Sequence, residues 1–389
     1  MIYADNAATT RLSSAAREAM LPYLDSLYGN PSSLHAAGRE ARAALETARE
    51  RVASCMGAAP EEILFTSGGS ESDNQALITA AAYGKRRGRT HLVSTAVEHH
   101  AVLHTLKKLE AEGFEVTILP VDGNGAVTPG QVRTVLRPDT AAVSVMYANN
   151  EIGTVMPISE IGAVCRAAGV LFHTDAVAAM GNIPIDVVAQ NIDMLSLSAH
   201  KFHGPKGVGA LYIKKGIPAV SLITGGEQEA GRRAGTENVA GAVGMAMALS
   251  QAHAYREANA AHVRALRDKL IEGLLCVPQS VLCGDRIHRL PGNVHMCFEG
   301  VEGEALLLML DAEGICASSG SACTSGSQEP SHVLSATGLP LSFSRGALRL
   351  SLDEFNTEAE VDRILEVVPR IVATLRKLSS AQNKGAALR

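Results

Sequence analysis

The sequence predicts an α/β fold joined to a smaller α+β domain. Through the first two-thirds of the 389 residues, helical stretches alternate with short runs that are apolar on both faces. That pattern is typical of a mostly parallel sheet covered by helices. A long helical stretch from about Thr236 to Leu275 then leads to a C-terminal region with its own strands and helices. With 46% hydrophobic residues, the chain can bury a large core, and we expect two domains.

Each predicted element rests on a particular stretch of the sequence. SSLHAAGREARAALETARERVASCMG predicts one or two amphipathic helices, and EEILFTSGGSESDNQALITAAAYG predicts a strand, a glycine-rich turn and a helix. Six further apolar runs predict strands of the large sheet: THLVSTAV, FEVTILPV, AAVSVMYA, VLFHTDAV, DMLSLSAH and GVGALYI. ISEIGAVCRAAG predicts a helix between two of them. In the C-terminal region, strands are predicted for GNVHMCFEG, GICASS and ALRLSL.

Composition excludes several classes of function. The formal net charge is −5, aromatic residues make up 4% and tryptophan is absent, so we expect no nucleic-acid partner. No run of about 18 apolar residues could span a membrane, and MIYADNAATT lacks the basic and apolar regions of a secretory signal. The seven cysteines show no CxxC pair or zinc-knuckle spacing, which disfavours a disulfide framework. We therefore expect a cytoplasmic protein.

Polar residues follow the predicted strands, where open α/β sheets bind their ligands. The turn TSGGSES places Gly69 and Ser70 at a helix start, where backbone amides can bind phosphate. Asp175 ends an apolar run, and a buried carboxylate needs a cation beside it. Lys201 follows another run, where burial would lower the pKa of its amine and make it reactive. Taken singly, each also has an ordinary structural explanation: a tight turn, a helix cap or ion pair, and a surface lysine.

Histidines near the strand ends raise the alternative of a zinc site. His99, His100, His200 and His203 would have to converge, but no H-E-x-x-H or Cys/His spacing supports this. No G-x-S-x-G elbow indicates a serine hydrolase either. We expect no resident metal ion. A phosphate cradle, a buried carboxylate, a histidine and a reactive lysine together match the needs of pyridoxal 5′-phosphate, in which lysine links the cofactor and aspartate keeps its ring nitrogen protonated.

A series of motifs in the same order along nearly the whole chain resembles those of one known family. The motifs are YADNAATT, YGNPSSLH, FTSGGSESDN, EHHAVLHT, NNEIGT, HTDAV, SAHKFHGPKGVGALY, GGEQEAGRRAGTENV and SSGSACTSGSQEPSHVL. They resemble the cysteine desulfurases of the NifS/IscS type, which are fold-type I pyridoxal-phosphate enzymes related to the class V aminotransferases. This implies a large domain over 15–255, with a mixed, mostly parallel seven-stranded sheet between helices. Residues 1–14 and 256–389 would form the small α+β domain.

By this resemblance, individual residues acquire roles at the cofactor. Lys201 would bind pyridoxal phosphate covalently, Asp175 would pair with its pyridinium nitrogen, and His99 would stack on its ring and assist proton transfers. The phosphate would be held by Gly69, Ser70, Ser198 and His200. In a homodimer, Thr236 of the partner subunit would reach it as well.

The resemblance also assigns the substrate side of the pocket. Asn150, which would also contact the cofactor, and Arg349 would bind the α-carboxylate of the substrate. A bidentate arginine is suited to this task. The alternative for Arg349 is an ordinary surface ion pair.

One cysteine lies among residues too small to bury much surface. Cys323 stands in SSGSACTSGS, from Ser318 to Ser327, a composition typical of a surface loop. The resemblance makes it the nucleophile that takes the sulfur of L-cysteine as a persulfide and leaves L-alanine. The loop, at about 318–331, would then deliver the sulfur to an iron–sulfur scaffold protein or another acceptor. We expect the other six cysteines to be structural.

Two positions depart from the pattern of the family. Ala178 stands where a glutamine usually contacts the phenolic oxygen of the cofactor, and losing such a hydrogen bond costs about 1.5–3 kcal/mol if nothing replaces it. Arg345 stands where relatives often carry histidine. Two further hypotheses therefore stay open. One is a related lyase or aminotransferase acting on another amino acid, such as selenocysteine, and the second is a non-catalytic subunit of a sulfur-transfer complex.

Overall fold

The computed structural model describes residues 1–320 and 331–386, with side chains through residue 379. The strands in this part of the chain are β1 (Ile2–Tyr3), β2 (Ile63–Thr66), β3 (His91–Thr95), β4 (Glu115–Leu119), β5 (Thr140–Ser144), β6 (Leu171–Asp175), β7 (Met194–Ser198), β8 (Gly209–Ile213), β9 (Ser280–Leu282), β10 (Asn293–Phe298), β11 (Ile315–Cys316) and β12 (Ala347–Ser351). The helices are α1 (Ser14–Leu24), α2 (Ala36–Ser54), α3 (Gly69–Lys85), α4 (His100–Ala111), α5 (Pro129–Val135), α6 (Ile158–Ala168), α7 (Val239–Leu275), α8 (Gly303–Ala312), α9 (His332–Ala336), α10 (Leu341–Ser344) and α11 (Glu358–Ala386).

A seven-stranded sheet forms the centre of the described structure, in the order β2-β8-β7-β6-β5-β3-β4. The pairs from β7 to β4 are parallel, whereas β8 runs antiparallel to both β2 and β7. Strands β3, β5, β7 and β8 are buried along their whole length, which explains why their sequences are apolar on both faces. The prediction of a mixed, mostly parallel α/β sheet is confirmed.

The C-terminal strands form a separate antiparallel sheet in the order β12-β10-β9. Its core is built from residues between Val263 and Val372, together with Ala4 from the N-terminal segment. The short strand β1 pairs in parallel with β11, so the first residues of the chain belong with its last third. The position 255/256, at which we propose that the two domains meet, falls inside α7.

The long helix α7 begins three residues later than the sequence indicated. Asn238 caps it, because its side chain accepts a hydrogen bond from the Gly241 N–H at 2.9 Å. Such a cap satisfies one of the backbone donors at the helix start. The predicted beginning at Thr236 is therefore wrong by one turn. Among the helices of the described residues, none has both the length and the apolar character needed to cross a membrane.

Candidate active site

A pocket at the C-terminal edge of the central sheet gathers most of the predicted site residues. It has a volume of about 290 Å³. Strands β6 and β7 end at this pocket, and residues of the connections that follow β2, β3 and β5 line it. The predicted residues that line it are Gly69, Ser70, His99, Asn150, Asp175, Ser198, His200, Lys201 and Arg349.

Lys201 enters the pocket from a single helical turn, Ala199–Lys201, that follows β7 directly. Its Nζ donates hydrogen bonds to the backbone oxygens of Ala7 at 2.5 Å and Ala8 at 2.9 Å. Both carbonyls belong to the N-terminal segment, which the sequence analysis did not connect with the lysine. The turn fixes the start of the side chain, and the two carbonyls fix its amine.

Asp175 ends β6 and is 5% exposed. Its Oδ1 accepts a hydrogen bond from the Val177 N–H at 2.9 Å. Burial raises the pKa of this carboxyl, while the nearby His99 and Lys201 act in the opposite direction. A cation placed against the carboxylate would remove the penalty of burying it.

His99 caps the N-terminus of α4. Its Nδ1 accepts a hydrogen bond from the Ala101 N–H at 3.1 Å. In the neutral ring the proton therefore lies on Nε2, because the nitrogen that accepts carries none. The cap holds the imidazole in one orientation at the wall of the pocket.

The turn between β2 and α3 forms an anion cradle. Gly68 has φ +154°, and a Cβ at this position would lie 3.6 Å from Ser198 Oγ, so a side chain would begin to fill the cradle. The helix α3 begins at Gly69 with its free backbone amides on this side. A second opening, lined by Gly69, Ser70, Ser198, His200 and also by Lys206, continues the pocket outward.

His200 completes the cradle as a neutral ring. Burial, reinforced by Lys201 and Lys206, lowers its pKa to about 4. Its Nδ1 lies 3.1 Å from Thr9 Oγ1. A neutral histidine can donate one hydrogen bond to an anion at physiological pH.

Arg349 approaches from β12 and is 1% exposed. Its Nη2 donates to Asp5 Oδ1 at 3.0 Å, and its Nη1 donates to the Asn150 backbone oxygen at 3.0 Å. The Nε is buried without a hydrogen-bond partner among the described residues. The predicted pair of Asn150 and Arg349 is therefore brought together, and Arg349 makes an ion pair with the partly buried Asp5 instead of one at the protein surface.

Among the described residues, one predicted site residue does not line this pocket. Thr236 is exposed, in the segment before α7. Cys323 lies outside the described residues. Both described flanks of its segment reach the pocket, since Gly320 and His332 line it. The Ser331 hydroxyl donates to Glu151 Oε2 at 2.5 Å and fixes the second flank.

The four histidines considered as a zinc site do not come together in the described structure. In the described part of the chain they do not form a group with closely spaced ligand atoms. His203 instead lies 3.3 Å from Glu354 Oε2, and His100 packs against His332 with 4.6 Å between ring centroids.

Two buried carboxyl groups at the pocket were not foreseen from the sequence. Burial raises the pKa of Glu98 to about 8, and its Oε1 accepts hydrogen bonds from Thr95 Oγ1 at 2.7 Å and Met146 N at 2.9 Å. Burial and the neighbouring Asp175 raise the pKa of Asp73 well above its ordinary value. The sequence could have indicated both, because Glu98 directly precedes His99 in EHHAVLHT, and Asp73 follows Ser70 by three residues in FTSGGSESDN.

The donor set of the pocket fits pyridoxal 5′-phosphate. The anion cradle, a buried carboxylate suited to a protonated ring nitrogen, and an amine all line the same pocket. The residues that would hold the group are Lys201 for its aldehyde carbon, Asp175 for its ring nitrogen, His99 for its ring face, and Gly69, Ser70, Ser198 and His200 for its phosphate.

Comparisons with known proteins agree with this arrangement. Residues 2–364 match the family model of the class-V aminotransferases. A cysteine desulfurase IscS of Methanosarcina thermophila is 52% identical over 97% of this chain and 93% of its own length. The solved structure of a NifS-like protein superposes with a TM-score of 0.90 at 39% identity, covering 96% of this chain and 99% of that one. Another, described as SspA in complex with cysteine, superposes with a TM-score of 0.80 at 36% identity, covering 92% of this chain and 100% of that one.

The family model and the relatives span nearly the whole chain, so they cover the central sheet, the pocket and the C-terminal sheet together. The motifs and the pocket geometry lead to the same group of proteins. The chain therefore belongs to the class-V aminotransferases, a pyridoxal-phosphate-dependent family, and within it to the cysteine desulfurases of the NifS/IscS type.

Proposed function

We propose that the protein is a pyridoxal-phosphate-dependent cysteine desulfurase that transfers the sulfur of L-cysteine to Cys323 and releases L-alanine. One observation carries the proposal: Lys201, Asp175 and His99 meet in a single pocket that Arg349 also lines. An amine, a buried carboxylate and an imidazole supply the cofactor chemistry, and the guanidinium supplies a partner for an amino-acid carboxylate.

Within this mechanism, bound pyridoxal phosphate supplies an electron sink that stabilises negative charge at the substrate Cα. Lys201 would hold the cofactor, and its Nζ would take the proton from the substrate Cα. The backbone oxygens of Ala7 and Ala8 hold that nitrogen in place. Asp175 would hold a proton at the ring nitrogen, and His99 would move protons on the substrate side. The Cys323 thiolate would then attack the substrate sulfur, so that an S–S bond forms and the C–S bond breaks. The electron pair of the C–S bond stays with the substrate Cβ, which takes up a proton and becomes the methyl group of L-alanine.

Arg349 and Asn150 would orient the substrate by its α-carboxylate. The position of the guanidinium supports this role, because its Nη1 contact with the Asn150 oxygen holds both residues at the same wall. Binding through a charged, oriented group positions the Cα–H bond for Lys201.

We further infer a homodimer in which Thr236 of a second copy completes the phosphate site. Two features support it. Thr236 is exposed and stands apart from the pocket of its own chain. The N-terminal helical region also exposes large apolar side chains that a second copy would cover: Leu21, Leu24, Tyr28 and Leu34. The sulfur acceptor, an iron–sulfur scaffold protein or a thiolation factor, and a cytoplasmic location belong to the same proposal.

The test is alanine formation by the purified, cofactor-loaded protein given L-cysteine and a reductant. We expect alanine and sulfide in equal amounts from the wild type, no persulfide and no sustained alanine release from Cys323→Ala, and no activity from Lys201→Ala. Cys316→Ala is the matched control, since it removes another thiol close by in the chain and should leave the activity unchanged.

Two outcomes would contradict the proposal. Alanine formed by Cys323→Ala at the wild-type rate would exclude the persulfide on Cys323. A coloured, cofactor-loaded wild type that releases no alanine from L-cysteine would indicate either a related lyase or a non-catalytic subunit. Selenocysteine as substrate then separates these two, because a lyase would turn it over and a non-catalytic subunit would not.

A further inference from the structure

Three buried side chains that do not line the active-site pocket have the character of metal ligands. In Cys283, His295 and Cys297, the two sulfur atoms and one ring nitrogen all lie within 4.8 Å of one another. The Sγ atoms of the two cysteines are 3.4 Å apart. Cys297 and His295 are fully buried, and Cys283 is 6% exposed. The mechanism proposed above uses none of them.

The small C-terminal sheet brings the three residues to one face. His295 and Cys297 are two residues apart on β10, so their side chains point to the same side. Cys283 follows β9, and its N–H donates to the His295 oxygen at 2.8 Å, which places it opposite the histidine. Side chains that stand opposite one another in an antiparallel pair share a face. The cluster is therefore fixed by strand register rather than by loop conformation.

His295 presents a nitrogen with no hydrogen-bond partner. Its Nδ1 lies 3.0 Å from the Glu151 backbone oxygen. Since a carbonyl can only accept, Nδ1 carries the proton and Nε2 keeps its lone pair. Nε2 is buried and has no hydrogen-bond partner in the described structure. A metal-binding histidine usually has this arrangement, with one nitrogen on the metal and the other donating to a carbonyl.

A disulfide fits the cluster less well than a metal ion does. Cys283 and Cys297 are diagonal neighbours across two antiparallel strands. In such pairs the Cα atoms are typically about 7–8 Å apart, whereas disulfides span about 4.4–6.8 Å. Two zinc–sulfur bonds of about 2.3 Å at a tetrahedral angle place their sulfur atoms about 3.8 Å apart, which is close to the 3.4 Å between these two Sγ atoms. The cluster thus needs less movement to hold a metal than to form a disulfide.

We propose that Cys283, His295 and Cys297 bind one thiophilic divalent cation of the Zn²⁺ type. Each thiol loses its proton on binding, and the two protons pass to solvent. Two thiolates then balance the charge of the cation, so the site carries no net charge into the core. Three protein ligands leave one position of a tetrahedral ion for a water molecule or a small ligand.

The location gives the site a structural consequence for the active site. His295 is paired with Arg349 across β10 and β12. On its other side, a Cβ added to Gly320 would lie 3.2 Å from His295 Cε1. A bound ion would therefore fix the strand register directly behind the proposed substrate arginine and the start of the Cys323 segment.

The proposal is tested by measuring the metal content of the purified protein. The metal is supplied during expression, because a buried site exchanges slowly and must be loaded as the chain folds. The full-length protein is expressed with zinc, dialysed against a chelator and assayed for zinc. We expect one equivalent in the wild type and less than a tenth of that in Cys283→Ser and Cys297→Ser. Cys165→Ser is the matched control for loss of a buried thiol, and His203→Gln controls for the cluster with Glu354. Both should keep the full equivalent.

Cobalt keeps the test decisive if the cysteine variants fold poorly. Wild-type protein expressed with Co²⁺ should show the visible bands of a tetrahedral thiolate complex, and Cys165→Ser should show them too. The proposal would be overturned by a wild-type protein that contains no zinc and shows no cobalt bands although its thiols are free. It would also be overturned by a wild-type protein in which Cys283 and Cys297 have formed a disulfide. Full zinc content in the double variant Cys283→Ser/Cys297→Ser would overturn it as well.

Discussion

Arg349 and Asp5 form an ion pair, with 3.0 Å between Nη2 and Oδ1, although 344 residues separate them in the chain. The arginine lies on β12, and the aspartate lies in the segment that follows β1. The pair therefore joins the N-terminal segment to the strand whose arginine lines the pocket. A substrate carboxylate would meet a guanidinium whose orientation Asp5 has already fixed.

Arg349→Lys should weaken substrate binding more than it slows the chemistry. A lysine keeps the charge but cannot donate from a rigid fork, and losing a hydrogen bond between charged groups costs about 1.5–3 kcal/mol. We expect KM for L-cysteine to rise roughly 10- to 100-fold with a smaller change in kcat. Steady-state alanine release measures both. The half-exposed Arg345 offers the control Arg345→Lys, and an unchanged KM in Arg349→Lys would contradict the assigned role.

Asp5→Asn should destabilise the fold, because Arg349 would then be a buried cation without its charged partner. Leaving a buried charged group unsatisfied costs about 1–3 kcal/mol or more. We expect the free energy of unfolding, measured with denaturant, to fall by about that amount. Asp25→Asn changes an exposed aspartate at the end of α1 and should have no comparable effect. Equal stabilities of the wild type and Asp5→Asn would show that the ion pair adds nothing.

Glu98→Gln should flatten the dependence of stability on pH. Burial raises the pKa of Glu98 from 4.5 to about 8, so between these values the folded state keeps a proton that the unfolded state has lost. Stability contributed by this group therefore falls as pH rises through that window. A permanently neutral glutamine removes this loss, worth up to about 1.4 kcal/mol per pH unit.

Denaturant unfolding of the holoenzyme at several pH values from 5 to 9 checks the Glu98 prediction. The exposed Glu50→Gln serves as the control and should follow the wild type. The difference between Glu98→Gln and the wild type should stop growing above about pH 8, where both states of the wild type have lost the proton. Parallel curves across the whole range would mean that Glu98 is already ionised in the folded protein.

Ala178→Gln should change the colour of the bound cofactor with pH. Ala178 lines the active-site pocket and also an adjoining cavity, so a longer side chain has space. A glutamine amide donating to the anionic phenolic oxygen would stabilise it by about 1.5–3 kcal/mol. The pH at which the visible absorption changes should then fall by about one to two units. Ala178→Met has similar length without a donor, so a similar fall there would assign the effect to volume.

The sequence was informative wherever a side chain stood next to a strand end. Asp175, Lys201 and His99 follow apolar runs, and their convergence could be predicted because parallel strands present their carboxyl ends at one edge. The same reasoning applies to Gly69 and Ser70 at the start of α3. These residues are close in space because the sheet order requires it.

Contacts made by the N-terminal segment could not be predicted in this way. Nothing in YADNAATT indicates that Asp5 pairs with Arg349, or that Ala7 and Ala8 offer their carbonyls to Lys201. These contacts depend on tertiary packing between distant parts of the chain. The strand register that brings Cys283 close to His295 and Cys297 could not be predicted for the same reason. Cys283 precedes His295 by 12 residues and Cys297 by 14 residues, and these spacings match no metal-binding motif.

The pairing of β1 with β11 and of Asp5 with Arg349 also sets an order of events during synthesis. The N-terminal segment leaves the ribosome first, yet its partners are made only when residues 315–351 have emerged. Contacts this distant in sequence form late, because a long loop must close before they stabilise anything. The pocket therefore cannot be completed co-translationally by the first two-thirds of the chain, and tight cofactor binding should follow release of nearly the whole polypeptide.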